Sequence, residues 1–345
     1  MIIEGRIIDK DHPPYVIAEL SANHNGSLDN ALRCIEAFKS CGADAIKLQT
    51  YTPDTLTLDC QREDFVIHGG LWDGQTLYQL YEKAYLPWEW HQPLFEHAKQ
   101  LGITIFSTPF DETAVDLLEE LNTPAYKIAS FEAIDIPLIQ YVAQTRKPMI
   151  ISTGMASWEE IGEAVAAARD SGCRDLALLH CVSSYPAPIE QSNLLTIREL
   201  EKRFGVMAGI SDHTLGTTVA IASIALGARI IEKHVTLDRS HDGPDSSFSL
   251  EPDEFRQLCI QTRDAWKALG AVKKGKVAAE DSSVKFRRSI YVTEDTKAGE
   301  ILTRKNIRCI RPGFGLAPKH YESVLGRTLK IDAKKGTALS WDMMN

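Results

Sequence analysis

The 345-residue sequence contains no uninterrupted apolar run of membrane-spanning length, which excludes a transmembrane helix. It has no excess of positive charge. The formal net charge is −9, which argues against a nucleic-acid surface, so any anionic ligand must meet a locally cationic pocket. Paired CxxC cysteines are absent too. The seven cysteines are scattered and odd in number, as in a reduced cytosolic protein rather than a disulfide framework. The opening segment, MIIEGRIIDKDHPP, has neither the apolar core nor the cleavage site of a signal peptide, so a cytoplasmic protein is expected. No glycine-rich phosphate loop follows the first strand candidate, where ELSANHNG stands, and that counts against a doubly wound nucleotide-binding sheet.

What is present is a rhythm. Charged residues make up 25% and hydrophobic ones 44%, an ordinary globular balance. After a short hairpin in residues 1–14, apolar runs recur at Tyr15–Leu20, Ala45–Gln49, Ile103–Ser107, Ala125–Ala129, Pro148–Ser152, Leu176–His180, Val206–Ile210 and Arg229–Ile231. An amphipathic segment follows each, beginning with Ser27–Ser40, where Ser27 is a natural N-cap. The runs are continuously apolar rather than alternating, as expected of strands buried on both faces. Eight strand–helix units predict a (β/α)8 TIM barrel, an α/β fold, over residues 1–269. Residues 51–86 interrupt it with an insertion rich in Trp and Tyr, readable as a substrate lid or as a packing flap and oligomer contact. Residues 270–284 read as a polar linker. Residues 285–345 read as a small separate domain with strand-like pieces at Arg288–Thr293, Arg308–Ile310 and Thr328–Ile331.

In a (β/α)8 barrel the chemistry sits at the C-terminal ends of the strands. Those ends offer Glu19, Lys47, Gln49, Thr108, Lys127, Ser130, Glu132, Ser152, Thr153, Ser183, Tyr185, Ser211, Asp212, His213, Glu232 and His234. The two histidines follow consecutive strands at matched positions, with Asp212, Glu232, Asp242 and Asp245 near in sequence. That pattern suits a divalent metal; each imidazole could instead simply cap a strand. Lys47 and Lys127 among hydroxyls suit phosphate or carboxylate. A Schiff-base lysine, or plain ion pairs with Glu19 and Glu132, are the competing readings. Cys181 reads as a buried small apolar residue rather than a nucleophile.

The strings AELSANHNGS, AIKLQTY, STPFDE, YKIAS, ISTGMAS, LLHCVSSYP, GISDHT and EKHVT run in order along the chain, and together the barrel resembles the sialic acid synthase family. KAGEIL and RPGFG in the tail resemble that family's antifreeze-like (SAF, β-clip) domain. The resemblance implies an enzyme, a transferase, that condenses phosphoenolpyruvate with an N-acetylated amino-sugar aldehyde and releases phosphate. LWDGQTLYQLYEKAYLPWEWH, GPDSSFSLEP and RPGFGLAPK are most similar to the branch that makes pseudaminic acid from a diacetamido-trideoxy-altrose. The N-acetylneuraminate and legionaminate branches are the alternatives, and a non-catalytic sugar-binding relative is a remote one.

By resemblance, Lys47, Gln49, Thr108, Lys127, Ser130, Ser152, Thr153, Ser183 and Ser211 form the phosphoenolpyruvate shell. Ser183 stands where sialic acid synthases carry Asn. His213 and His234 correspond to ligands of Mn2+ or Mg2+. Glu19, Tyr185 and Asp245 face the sugar, and the apolar Phe248 leans toward a deoxygenated one. Arg311 corresponds to an arginine inserted into the other subunit's barrel of a domain-swapped homodimer.

Overall fold

The computed structural model describes residues 1–241 and 243–345 and divides into two units, Met1–Gly270 and Ala271–Asn345. The first unit is a closed barrel of eight parallel strands: β3 (Tyr15–Glu19), β4 (Ala45–Thr50), β5 (Thr104–Pro109), β6 (Tyr126–Ile128), β7 (Met149–Ser152), β8 (Leu176–Cys181), β9 (Met207–Asp212) and β10 (Ile230–His234). β10 pairs with β3 and closes the ring, with His234 in register with Glu19. The helices outside are α1 (Leu28–Cys41), α4 (His91–Leu101), α5 (Glu112–Glu120), α6 (Ile136–Gln144), α7 (Trp158–Asp170), α8 (Thr196–Phe204), α9 (Thr218–Ala225) and α10 (Pro252–Leu269). Their starts are chemically marked. Ser27, Asp111, Asp135 and Ser157 each accept a backbone N–H of the first turn of the helix that follows, satisfying donors that the helix itself leaves open. Among the described residues no helix is long and apolar enough to cross a membrane.

Each strand buries both faces, outward against the helices and inward in the lumen. β1 (Ile2–Ile3) and β2 (Arg6–Ile7) form an antiparallel hairpin. It delivers Ile3 and Ile8 into the lumen cluster of Tyr15, Ile17, Phe106, Ile150 and Leu179. That end of the barrel is thereby plugged with hydrocarbon. Gly209 on β9 shows how tightly the ring closes: a Cβ there would come within 2.3 Å of the Ile230 carbonyl oxygen and 2.7 Å of Leu179 Cδ2. Only glycine admits that approach.

Two boundaries differ from the sequence expectation. β9 and β10 do not stop at Ile210 and Ile231 but run on to Asp212 and His234. The polar residues read as caps after the strands therefore belong to them, because strand pairing continues through Glu232–Ser211 and Lys233–Asp212. Residues 51–86 are structured, with α2 (Pro53–Leu56) and α3 (Leu77–Ala84), each opened by a threonine capping box.

The second unit has its own core, built on Ile290, Val292, Leu302, Ile307, Leu329 and Leu339. β11 (Ser289–Val292) pairs antiparallel with β12 (Ile307–Ile310), and a short α11 (Tyr321–Val324) follows. Thr328–Ile331 is not a strand. Thr328 bridges Ile301 while Leu329 bridges Met344, so successive residues address different partners and no ladder propagates.

Candidate active site at the barrel mouth

The opposite end of the lumen holds a cavity of about 620 Å³. Its floor is ionic. Lys47, from the middle of β4, lies 3.0 Å from Glu19 Oε2 and 3.7 Å from Glu232 Oε1. Lys127 of β6 lies 4.0 Å from the same Glu232 oxygen. Hydroxyls complete the set: Lys47 Nζ donates to Thr108 Oγ1 (3.2 Å), Lys127 Nζ to Ser152 Oγ (2.6 Å), and Ser211 Oγ to Glu232 Oε1 (2.8 Å). Gln49 Nε2 donates to Glu19 Oε1 and Ser21 Oγ, both at 2.9 Å.

These groups are almost fully buried, and burial decides their protonation. Desolvation pushes Glu19 up to about 7 against the pull of Lys47. Desolvation would also raise Glu232, but Lys127 and Lys47 outweigh it and hold Glu232 below the usual carboxylate range. Burial pulls Lys127 down. It would do the same to Lys47, which Glu19 and Glu232 hold above its ordinary value. Two lysines thus face the ionised Glu232, with Glu19 close to its titration midpoint near neutral pH. Such a floor favours an incoming anion.

Above it stand the two imidazoles, with ring centroids 5.4 Å apart. His213 Nδ1 is 2.9 Å from the Val182 carbonyl oxygen, so the proton belongs on Nδ1. Among the described residues the Nε2 lone pair meets no hydrogen-bonding partner nearer than Ser211 Oγ at 3.5 Å, whose own proton goes to Glu232. Among the described residues, His234 Nδ1 is buried with no hydrogen-bond partner. Asp245 Oδ2 lies 3.6 Å from it, outside hydrogen-bond reach. Desolvation depresses both histidines, His213 to about 4 and His234 well below its ordinary value. Neutral imidazoles are the ligating form, and an orphaned ring nitrogen beside a carboxylate fits a divalent cation. Among the described residues no ready-made cluster of three or more His, Cys, Asp and Glu ligands occurs. Asp242 lies outside the described residues. Asp212 is turned out of the lumen and pairs with Lys233 at 2.9 Å, which removes it from the candidate metal ligands.

The side walls are aromatic. Tyr185 packs on His213 (4.4 Å between centroids) and Phe248 (5.3 Å), and Trp72 of the insertion leans toward it at 6.1 Å. Trp72, Leu77, Leu80 and Tyr81 from the insertion line the cavity, which places this segment at the mouth.

Of the expected residues, Glu19, Lys47, Gln49, Lys127, Ser130, Ser152, Ser183, Tyr185, Ser211, His213, His234 and Asp245 converge on the cavity. Ser130 and Ser183 share a 2.8 Å hydrogen bond. Gly154 makes room for that pair: its φ is +47°, and a Cβ would meet Ser130 Cβ at 2.6 Å. Three others stand back from the wall. Thr108 supports Lys47 from behind. Thr153 Oγ1 donates to the Leu179 carbonyl. Phe248 backs Tyr185 and His234. Arg311 belongs to the second unit, exposed just after β12.

Sequence reasoning set Glu232 beside the histidines; the structure makes it the bridge between the lysines. One competing reading paired a lysine with Glu132. Instead Glu132 lines the cavity with a buried, unpartnered Oε2, raised to about 7 by desolvation. The signal for Glu232 is parity: two residues before His234 on one strand, it must share the inward face.

The NeuB family model matches residues 34–274 and the SAF domain model residues 287–344. Pseudaminic acid synthase of Campylobacter jejuni subsp. jejuni is 46% identical over 332 residues, covering 95% of this chain and 96% of the relative. Pseudaminic acid synthase of Helicobacter pylori is 44% identical, covering 96% and 97%. The crystal structure of N-acetylneuraminic acid (sialic acid) synthetase from Leptospira borgpetersenii, in complex with citrate, superposes with a TM-score of 0.74 at 32% identity, covering 83% of this chain and 95% of that one.

Proposed function

Since the chain belongs to the NeuB family, we propose that it is a transferase performing the pseudaminic acid synthase reaction. Phosphoenolpyruvate and a 2,4-diacetamido-2,4,6-trideoxy-altrose are joined into a nine-carbon ulosonic acid, and phosphate is released by C–O cleavage. The observation that carries this reading is the pair Lys47 and Lys127, bridged by Glu232 beneath two unprotonated imidazoles.

The residues act as follows. Lys47 and Lys127 neutralise the carboxylate and phosphate of phosphoenolpyruvate, with Gln49, Ser130, Ser152, Ser183 and Ser211 as donors around them and Thr108 and Thr153 behind. His213 and His234 would hold the divalent metal, Mn2+ or Mg2+, which when bound polarises the sugar's aldehyde oxygen as a Lewis acid. Asp245 and Tyr185 orient the open-chain sugar, and Phe248 keeps Tyr185 in place. The methylene carbon of phosphoenolpyruvate attacks the aldehyde carbon, whose oxygen takes up a proton to become a hydroxyl, and Glu19 takes a proton from the water that adds at the carbon bearing the phosphate ester. The resulting tetrahedral adduct expels phosphate toward the lysines. Arg311 of a partner subunit would complete the site in a domain-swapped homodimer working in the cytoplasm. Its exposure after β12 and the RPGFG resemblance support that arrangement.

The test is phosphate release from phosphoenolpyruvate with Mn2+, offering three sugars in parallel: the diacetamido-altrose, the diacetamido-mannose of legionaminate synthesis, and N-acetylmannosamine. Turnover confined to the first is expected. Turnover of either other sugar would reassign the substrate, and none at all would favour a sugar-binding role. Phosphoenolpyruvate labelled with ¹⁸O at the bridging oxygen should yield labelled phosphate; label retained in the sugar would overturn C–O cleavage.

A further inference from the structure

His213 and His234 face inward from neighbouring strands, yet the pairing between those strands stops before the imidazoles. The β9–β10 register runs Ile210–Ile231, Ser211–Glu232 and Asp212–Lys233, and there it ends. What spans the gap lies on the opposite face of the sheet. Lys233 Nζ is 2.9 Å from Asp212 Oδ2, both side chains being about 1% exposed. The other Asp212 oxygen accepts from the Thr214 backbone N–H (2.9 Å) and Oγ1 (2.8 Å). Lys233 also donates to the Thr214 carbonyl oxygen. One ammonium group from β10 thus grips both neighbours of His213, and the residue after that lysine is His234. A buried ion pair gives little net stability over packed hydrocarbon, so stability alone does not account for it.

We infer that Asp212 and Lys233 are positioning residues: their buried pair sets the separation of the two imidazoles and through it the affinity for the divalent metal. The inference rests on the reading of His213 and His234 as metal ligands. Outer contacts of this kind typically change metal affinity by about 10- to 100-fold.

The experiment is an Mn2+ titration of the full-length protein, followed by the paramagnetic resonance signal of the free ion. Lys233→Met alone would leave Asp212 buried and uncompensated, so the variant is the double exchange D212N/K233M. The Mn2+ Kd is expected to rise at least about tenfold, with a cooperative melt and a KM for phosphoenolpyruvate close to the parent's while kcat falls. A Kd within about twofold of the parent, while His234→Ala abolishes binding, would show the pair to be structural only and overturn the inference. If the double variant loses its cooperative melt, Lys233→Arg gives the same reading: it keeps the charge but displaces the contacts to Asp212 and Thr214, and an unchanged Kd overturns the inference. A parent that binds no Mn2+, or unchanged binding in His234→Ala, would bring down the metal reading beneath it.

Discussion

The two ends of the lumen are built from the same strands and are chemical opposites. At the hairpin end, Ile3, Tyr15, Phe106, Ile150 and Leu179 fill the space with hydrocarbon. At the other end, the ionisable Lys47, Lys127, Glu19 and Glu232 are equally buried. Burying hydrocarbon stabilises the fold, whereas burying charge opposes it unless the charges are paired. The comparison separates the residues that keep the barrel from those the barrel keeps for chemistry.

That division can be broken experimentally, and Lys127→Met should strike hardest. It removes a charge from the proposed phosphate shell, and kcat/KM in the phosphate-release assay should fall by about 10²- to 10³-fold. Phe106→Ala at the apolar end should do the reverse. It should cost about 3–5 kcal/mol in urea unfolding and leave the kcat of the folded fraction close to the parent's. Strong loss of kcat in Phe106→Ala would mean the two ends are mechanically coupled. Glu19→Gln is the next smaller effect, about 10²-fold. A base must be ionised, and burial raises Glu19 to about 7. The parent's kcat/KM should therefore drop as pH falls through about 7, and the Gln variant should lose that limb; its persistence would assign the proton transfer elsewhere. The smallest effect belongs to the exposed Arg304–Glu322 pair of the second unit. Arg304→Ala should leave the Tm within about 2 °C, the contrast with the enclosed lysines being one of solvent.

The barrel was readable because buried parallel strands announce themselves as continuous apolar runs. Lys47 and Lys127 were readable because each interrupts such a run with a charge. What escaped was parity at the strand ends. Ser211 and Glu232 point inward while Asp212 and Lys233, one residue on, point outward. Only the observed extension of β9 and β10 assigns each to a face. Trp72 escaped for another reason: it reaches the cavity from the insertion, where no period ties sequence position to direction. Thr153 fits the hydroxyl pattern, yet its bond to the Leu179 carbonyl directs it into the wall.

The ring closes by pairing its first strand with its last, Glu19 beside His234. This has a temporal consequence. A ribosome must deliver nearly the whole barrel before those two side chains can meet, and contacts so distant in sequence form slowly. The growing chain can harden its hydrocarbon and lay down both lysines early, but the imidazole pair cannot be assembled until the eighth strand slides home. A fragment ending before β10 lacks His234 altogether.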